Sequence, residues 1–537
     1  MTRLKNPRFL AGALLWTLVL WGSFYNLANY PAIWWDEGIF SETAANLVQH
    51  GRYAFTIQSP NQLSDLDYRI SAGPAVILPV ALSYKLLGVG VTSGRLVAGA
   101  YLVLAFLALY LGARRCWGPA VALGAVALAF GGTDVLHWGR SVLGDVPALG
   151  LFLLGIWCLA RGLDSPSFSA LFAGGIFLGL AFDAKEFYGL AFLPPIILLA
   201  RQWWRDKGRL LKSLLAFGLG LALPLLAYLL LKAFILGSLS DAALHFFLQK
   251  KLLCHEFFTP LTIGRLYPES VTFIIQHPLF WLGGLGAFSV WRKGACSWGE
   301  KLWLWNFLLW SLVYITAVYW HRFALPALFL ACPLGAQFLK RAVSRLSACL
   351  ARPPRWLAPG IVAVFLILFF PFPAMDLLGQ IGQRTGDSTY RLVEYLNKHV
   401  PRNCLIETPE YELVFLTDDY PIHVMPAYFF VESTPERIVL LNPRGKPYDF
   451  NGVGADILIV GPFGKSVFRQ IYPPALIAKN WRRLAQVGDY DIYVSRRNKG
   501  KLPKRITSPG PAARLAVPAQ QDYNAFNALL PDNSFCH

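Results

Sequence analysis

Asp36 and Glu37 follow two tryptophans in the stretch Trp34-Trp35-Asp36-Glu37-Gly38, directly after a long apolar run. A carboxylate there can take a proton from a hydroxyl or amine, and its neighbour can position the acceptor, assist a metal or brace the loop. Ionisable groups beside a bilayer are costly, so such a pair is first read as a site. The structural reading is that both acids merely complement the dipole of a following helix, for which residues 41–48 carry the pattern. Asp145 is a second acid, opening an apolar run with Pro147 behind it, and Arg140 stands near enough in sequence to pair with it. The same position also suits an ordinary helix N-terminus. Cations recur in comparable places: Lys185 in Asp183-Ala184-Lys185-Glu186, Arg95 in Ser93-Gly94-Arg95, and Arg322 in Tyr319-Trp320-His321-Arg322. Lysine and arginine are the groups that hold charge developing on a phosphate. A snorkelling lysine or an interfacial arginine anchor is the plainer alternative. His321 and Tyr319 are candidates for the acceptor side of a pocket.

These residues need a scaffold, and composition says which kind. Of 537 residues, 55% are hydrophobic and only 15% charged, against about 25% charged in soluble domains. The chain therefore reads as an α-helical polytopic membrane protein. Its formal charge of +18 fits basic cytoplasmic loops and anionic headgroups. No basic-aromatic groove for nucleic acid is visible. Apolar runs of membrane length fall at 9–30, 95–113, 119–136, 145–160, 169–184, 186–200, 213–236, 277–291, 302–319, 323–339 and 356–373. The segment 73–90 contains Pro74, Pro79, Lys85 and Gly88. Reading it as juxtamembrane or re-entrant puts the basic clusters at 114–115, 201–212, 292–293 and 340–355 on the side of the basic N-terminus. About eleven spans follow. The candidate residues then converge on the opposite, extracytoplasmic face of the cytoplasmic (inner) membrane. The N-terminal run is too long for a cleaved signal and reads as an uncleaved helix.

Residues 1–375 are thus expected to form the transmembrane domain, with 31–94 its first outer loop and juxtamembrane helices. Short strand patterns at Cys404–Glu407, Ile438–Leu441, Asp456–Val460 and 488–494 alternate with helical patterns at Thr389–Lys398 and Ser466–Ile471. They predict a small extracytoplasmic α/β domain over 376–497, followed by an irregular tail over 498–537. The cysteines form no metal-type pairs, and any disulfide among Cys254, Cys404 and Cys536 is left open. His245, His255, His277 and Glu256 match no strong zinc spacing, so no cofactor is assigned, and a divalent metal also stays open. Gly461-Pro462-Phe463-Gly464-Lys465-Ser466 lacks the spacing of a nucleotide phosphate loop and is set aside.

An outward-facing transferase has no access to nucleotide sugars. It needs a donor that travels in the membrane, and a polyprenyl-phosphate sugar supplies one. The inventory then divides into a base (Asp36), supporting acids (Glu37, Asp145) and donor-phosphate contacts (Lys185, Arg95, Arg322, Arg140). A lipid or solute transporter is the rival class. It expects ionisable groups near the midplane, often in repeats, whereas the candidates here gather at one face and no internal repeat of that kind is seen. A structural subunit whose outer domain binds a partner is a third reading.

The motifs WWDEGIFSETAANLVQHGRY, SAGPAVILPVALSYKLLGVGVTSGRL, GRSVLGDVPALGLFLLG with GLAFDAKEFYGLAFLPP, and HRFALPALFLACPLGA occur in an order that resembles the GT-C membrane glycosyltransferases. The closest resemblance is to the bacterial protein O-mannosyltransferase and aminoarabinose-transferase group, of glycosyltransferase family 39 type. It covers about residues 10–340. It implies a GT-C fold and inverting transfer from a polyprenyl-phosphate sugar at the outer membrane face, with the sugar (hexose or pentose) and the acceptor (glycan, lipid or protein) left open. It implies Asp36 in the catalytic position and Asp145 as second acid, with Lys185, Arg95 and Arg322 placed as donor-phosphate contacts. The family's Lys-Pro start to the juxtamembrane segment reads Ala72-Gly73-Pro74 here, so the resemblance does not carry over the aminoarabinose contacts.

Overall fold

The computed structural model describes residues 7–33, 35–58, 62–67, 69–257, 268–292, 294, 296–316, 321–349, 379–382, 387–417, 420–425, 430–434, 437–441, 448–466, 468–469 and 471–497. Tyr319, the run 356–373, Cys536 and the tail 498–537 lie outside them. So do the side chains of Cys254, His255 and Glu256. Contacts divide the chain into two compact units, Met1–Ala28 with Ser71–Gln383, and Asn29–Ile70 with Arg384–His537. The sequence boundary at 375 leaves 31–70 among the helices. Packing groups that segment with the sheet, because its two strands extend it.

The first unit is helical: α1 (Pro7–Phe24), α3 (Pro74–Leu87), α4 (Val91–Trp117), α5 (Pro119–Gly132), α6 (Val135–Trp138), α7 (Asp145–Asp164), α8 (Phe168–Ala184), α9 (Leu193–Trp203), α10 (Lys207–Leu236), α11 (Leu239–Phe257), α12 (Pro268–Gln276), α13 (Pro278–Trp291), α14 (Trp298–Thr316) and α15 (Leu325–Cys349). A 3-10 turn, Glu186–Phe192, leads into α9, and another, His321–Ala324, into α15. Helix α2 (Trp35–His50) belongs to the second unit. Among the described residues, Val91–Trp117, Asp145–Asp164, Lys207–Leu236 and His321–Ala348 are long and apolar enough to cross a membrane, and α12 and α13 meet at 75°, the geometry of a broken span or a re-entrant loop. The expected run 119–136 is split, because α5 stops at Gly132 and Thr133 is extended. Helix α3, at 14 residues, rises only about 21 Å, short of the ~30 Å apolar layer.

These helices approach closely because small residues line their seams. A Cβ on Gly175 of α8 would lie 2.2 Å from the Phe217 carbonyl oxygen of α10. One on Gly286 of α13 would lie 2.2 Å from that of Leu334 in α15. The short turns between α7, α8, α9 and α10 alternate the chain direction. As a result, Arg95, Asp145, Lys185 and Arg322 all stand at one end of the helical body. The opposite end is closed by ordinary caps. Ser297 and Glu300 form a reciprocal capping box at the start of α14, with bonds of 3.1 and 3.0 Å.

The second unit is built on a seven-stranded sheet in the order β2-β1-β4-β3-β7-β9-β8. The strands are β1 (Ala54–Gln58), β2 (Gln62–Asp65), β3 (Ile406–Glu407), β4 (Ile422–His423), β7 (Ile457–Val460), β8 (Trp481–Val487) and β9 (Tyr490–Ser495). A separate hairpin joins β5 (Phe430–Thr434) to β6 (Arg437–Leu441). Strand β3 pairs in parallel with β4 and β7, and the remaining pairs are antiparallel. Helix α16 (Asp387–His399) lies where periodicity placed a helix; α17 (Glu412–Leu416), α18 (Pro462–Lys465) and α19 (Pro474–Asn480) complete the unit. Among the described residues of the expected helix Ser466–Ile471, only turns are seen. Pro462 starts the turn of α18 earlier, and the chain leaves it at Ser466. Phe450, Leu458, Val460, Tyr472, Ile477 and Trp481 form the core.

Candidate functional site

In the first unit the charges collect around the N-terminus of α7. Asp145 is 2% exposed, and among the described residues neither carboxylate oxygen has a hydrogen-bond partner. Among the described residues it forms an ion pair with Arg322, whose Nη1 lies 3.9 Å from Oδ2. That is too far for a hydrogen bond. Arg322 is itself buried, with its guanidinium over the rings of Trp138 and Phe323. Lys185 is buried too, and a Cβ on Gly144 would meet its Cδ at 3.3 Å. The lysine stem therefore runs beside the residue preceding Asp145. Asp183 holds the start of α3. Its carboxylate accepts from the Ala75 amide at 3.0 Å and its carbonyl from the Gly73 amide at 3.0 Å. Gly73 is needed there, since a Cβ would stand 2.1 Å from that carbonyl oxygen.

Two of the expected phosphate contacts are occupied by backbone. Arg140 donates to the carbonyls of Gly22 and Tyr25, and Arg95 donates to that of Leu27 at 2.9 Å. Both close the C-terminal end of α1, where free carbonyls favour a cation. The expected Arg140–Asp145 pair is therefore corrected: Asp145 pairs with Arg322. His321 packs on Phe273, 4.5 Å between ring centroids. His245 stands 3.0 Å from Lys232, which also donates to Gln249 at 2.6 Å and lies over Tyr228. Sequence reading passed over Lys232, although a fully buried lysine inside an apolar helix is itself a signal. Among the described residues no group of three or more His, Cys, Asp or Glu side chains is arranged to hold a metal ion.

In the second unit, α2 begins at Trp35, six residues before the expected pattern, so Asp36 and Glu37 occupy its first turn. Glu37 is 1% exposed. Farther along α2, Asn46 donates to the Ala54 carbonyl and the Thr56 hydroxyl of β1, at 3.1 and 3.0 Å. Past β2, Arg69 forks onto Asp67 and reaches the Tyr411 hydroxyl at 3.0 Å and the Met425 carbonyl at 2.6 Å. Burial works against the Asp67 charge, but the Arg69 guanidinium outweighs it and holds the carboxyl below its usual range.

Two buried glutamates follow β3. Glu410 accepts from the amides of Gly461, Phe463 and Gly464 at 2.8, 3.3 and 2.8 Å. Glu412 accepts from the Tyr490 hydroxyl at 2.8 Å, while its Oε2 has no partner among the described residues. Burial pushes Glu410 up to about 7 and Glu412 to about 8, the latter helped by the Glu410 charge. Both values exceed the ordinary 4.5, so the folded unit binds more protons than the unfolded chain. Stability is full below pH 4.5 and is lost as pH rises through 7 to 8. Thermal melting of the full chain should fall across that window. Glu412→Gln, which keeps the shape of the neutral acid, should flatten the dependence by at most about 5 kcal/mol. An unaltered profile in that variant would place the linked protons elsewhere.

The fold has solved counterparts. ArnT from Cupriavidus metallidurans, bound to undecaprenyl phosphate, superposes with a TM-score of 0.60 at 14% identity, covering 90% of this chain and 97% of its own. The fold is that of the GT-C glycosyltransferases. The archaeal oligosaccharyltransferase AglB from Archaeoglobus fulgidus, in complex with an inhibitory peptide and a dolichol-phosphate, gives a TM-score of 0.55 at 12% identity, covering 91% of this chain and 74% of its own. Residues 71–231 of this chain match the dolichyl-phosphate-mannose-protein mannosyltransferase family model. That stretch holds Asp145 and Lys185 but neither Asp36 nor Arg322. No curated protein matches the chain.

Proposed function

We propose that this GT-C chain transfers a sugar from a polyprenyl-phosphate donor to an acceptor at the extracytoplasmic face of the cytoplasmic membrane, with inversion at the sugar carbon. The observation that carries the reading is Asp145. It is a buried carboxylate with no hydrogen-bond donor among the described residues, beside Arg322 and the Lys185 stem, within a fold whose counterpart was solved bound to undecaprenyl phosphate. A site of fixed charge held away from water suits a reaction that ends with a phosphate anion.

In this reading Asp36 takes the proton of an acceptor hydroxyl or amine. The acceptor atom forms a bond to the sugar C1 as the C1–O bond to phosphate breaks, and the electron pair leaves on the lipid phosphate. Lys185 and Arg322 stabilise that charge. Arg95 and Arg140, engaged with the end of α1, support the frame. Glu37 braces the first turn of α2, and Asp145 holds Arg322 in place. His321 and Tyr319 are kept as acceptor-side candidates.

The test uses purified protein in nanodiscs with a panel of undecaprenyl-phosphate-linked hexoses and pentoses. Release of undecaprenyl phosphate should match sugar recovered on an acceptor, and absence of release across the panel overturns the reading. Lys185→Ala should weaken undecaprenyl phosphate binding tenfold or more while slowing turnover less. An unchanged affinity removes Lys185 from the donor contacts.

A further inference from the structure

The sheet of the second unit has a point where its connections diverge. Strand β3 has β4 on one side and β7 on the other, all three parallel. In open parallel sheets the crevice past the carboxyl ends of such strands is where ligands bind, with backbone amides turned towards anions. Here those amides, Gly461, Phe463 and Gly464 after β7, are taken by Glu410 from the loop after β3. The chain supplies its own carboxylate and locks the two loops together.

What sits on that locked pair of loops is the start of α2. The Trp35 ring stacks on Tyr411, 4.6 Å between centroids and 17° between planes, and on Phe463 at 5.1 Å and 18°. Its indole N–H donates to the Pro409 carbonyl at 2.8 Å. One turn later Gly38 meets the same loop, where a Cβ would lie 2.5 Å from the Glu412 Cα and 2.6 Å from its nitrogen. Asp36 and Glu37 lie between these two anchors. An indole gripped by two aromatic faces and a carbonyl, and a helix turn in backbone contact with the loop, fix both the rotation and the height of that turn.

We propose that the small α/β domain is the mount of the catalytic loop, with Trp35, Gly38 and Glu410 as positioning residues that set the register of Asp36. This rests on the reading of Asp36 as the base. Misplacing a reacting group by about 1 Å costs on the order of 100-fold in rate. The domain is then a working part of the transferase, although its chain lies more than 300 residues from the acidic pair.

The experiment measures turnover of undecaprenyl-phosphate mannose by the full-length protein in nanodiscs, together with undecaprenyl phosphate affinity and deuterium uptake over 35–42. Gly38→Ala and Trp35→Ala should lower kcat 10- to 100-fold and leave donor KM and lipid-phosphate affinity within twofold. Trp35→Phe, which keeps the stacking, should restore most of the rate, and uptake over 35–42 should rise in Trp35→Ala. If Gly38→Ala does not fold, the graded series Trp35→Phe, Trp35→Ala and Phe463→Leu carries the same test. Unchanged kcat in these variants, with Asp36→Asn inactive, overturns the mount and leaves the catalytic reading standing. An active Asp36→Asn overturns the catalytic reading, and deuterium uptake then reports on the mount alone. Parallel losses in KM and kcat, without rescue by phenylalanine, reduce the contact to general stability and overturn the proposal.

Discussion

Asp36→Asn should reduce turnover 100- to 10,000-fold while the protein folds and binds undecaprenyl phosphate as before. Asparagine keeps the size of the side chain and its place in the first turn of α2, but it cannot accept the acceptor's proton. General-base catalysis contributes roughly that range, equivalent to about 3 to 5 kcal/mol of transition-state stabilisation. A helix-capping role predicts a different result, because asparagine is also a good cap and only a few tenths of a kcal/mol of dipole interaction is at stake. The measurement is single-turnover release of undecaprenyl phosphate from donor-loaded protein, with lipid-phosphate affinity measured alongside. Wild-type turnover in the variant returns Asp36 to a structural role. Loss of donor affinity in proportion to rate makes it a donor contact.

The helical body was legible because each span carries its own signal, an apolar run bounded by Gly, Pro or charge. The grouping of 29–70 with the sheet was not. Gln58 of β1 meets His423 of β4 across more than 360 residues, and two-residue strands leave no periodicity to read. The Trp35 clasp was invisible for a related reason: Tyr411 and Phe463 become its partners only after the sheet has formed. Arg140 misled through sequence proximity. It starts five residues before Asp145, but the unfilled carbonyls at the end of α1 compete for its guanidinium and win. The Gly461–Ser466 loop lacks the spacing of a nucleotide loop. That its amides are filled by Glu410 depends on the register of β3 beside β7, which no local pattern encodes.

Arg322→Met should act on both stability and donor binding, and the double variant should separate the two. Asp145 and Arg322 are each about 3% exposed at the side chain and 3.9 Å apart. Removing the guanidinium leaves a buried carboxylate whose two oxygens already lack hydrogen bonds. Breaking one partner of a buried pair costs about 3–5 kcal/mol, whereas replacing both by neutral groups is often nearly free. Arg322→Met alone should therefore melt markedly earlier. Asp145→Asn with Arg322→Met should recover most of that loss, a coupling measured directly by the double-mutant cycle. Donor binding should behave otherwise. If Arg322 also holds the lipid phosphate, undecaprenyl phosphate affinity falls 10- to 100-fold in the single variant and stays low in the stable double variant, because no cation has been restored. Recovery of affinity together with stability would make Arg322 only the counter-ion of Asp145, and Lys185 would be left as the remaining cation beside Asp145 for the phosphate. The two outcomes differ because a counter-ion can be made unnecessary by neutralising its partner, while a phosphate contact cannot.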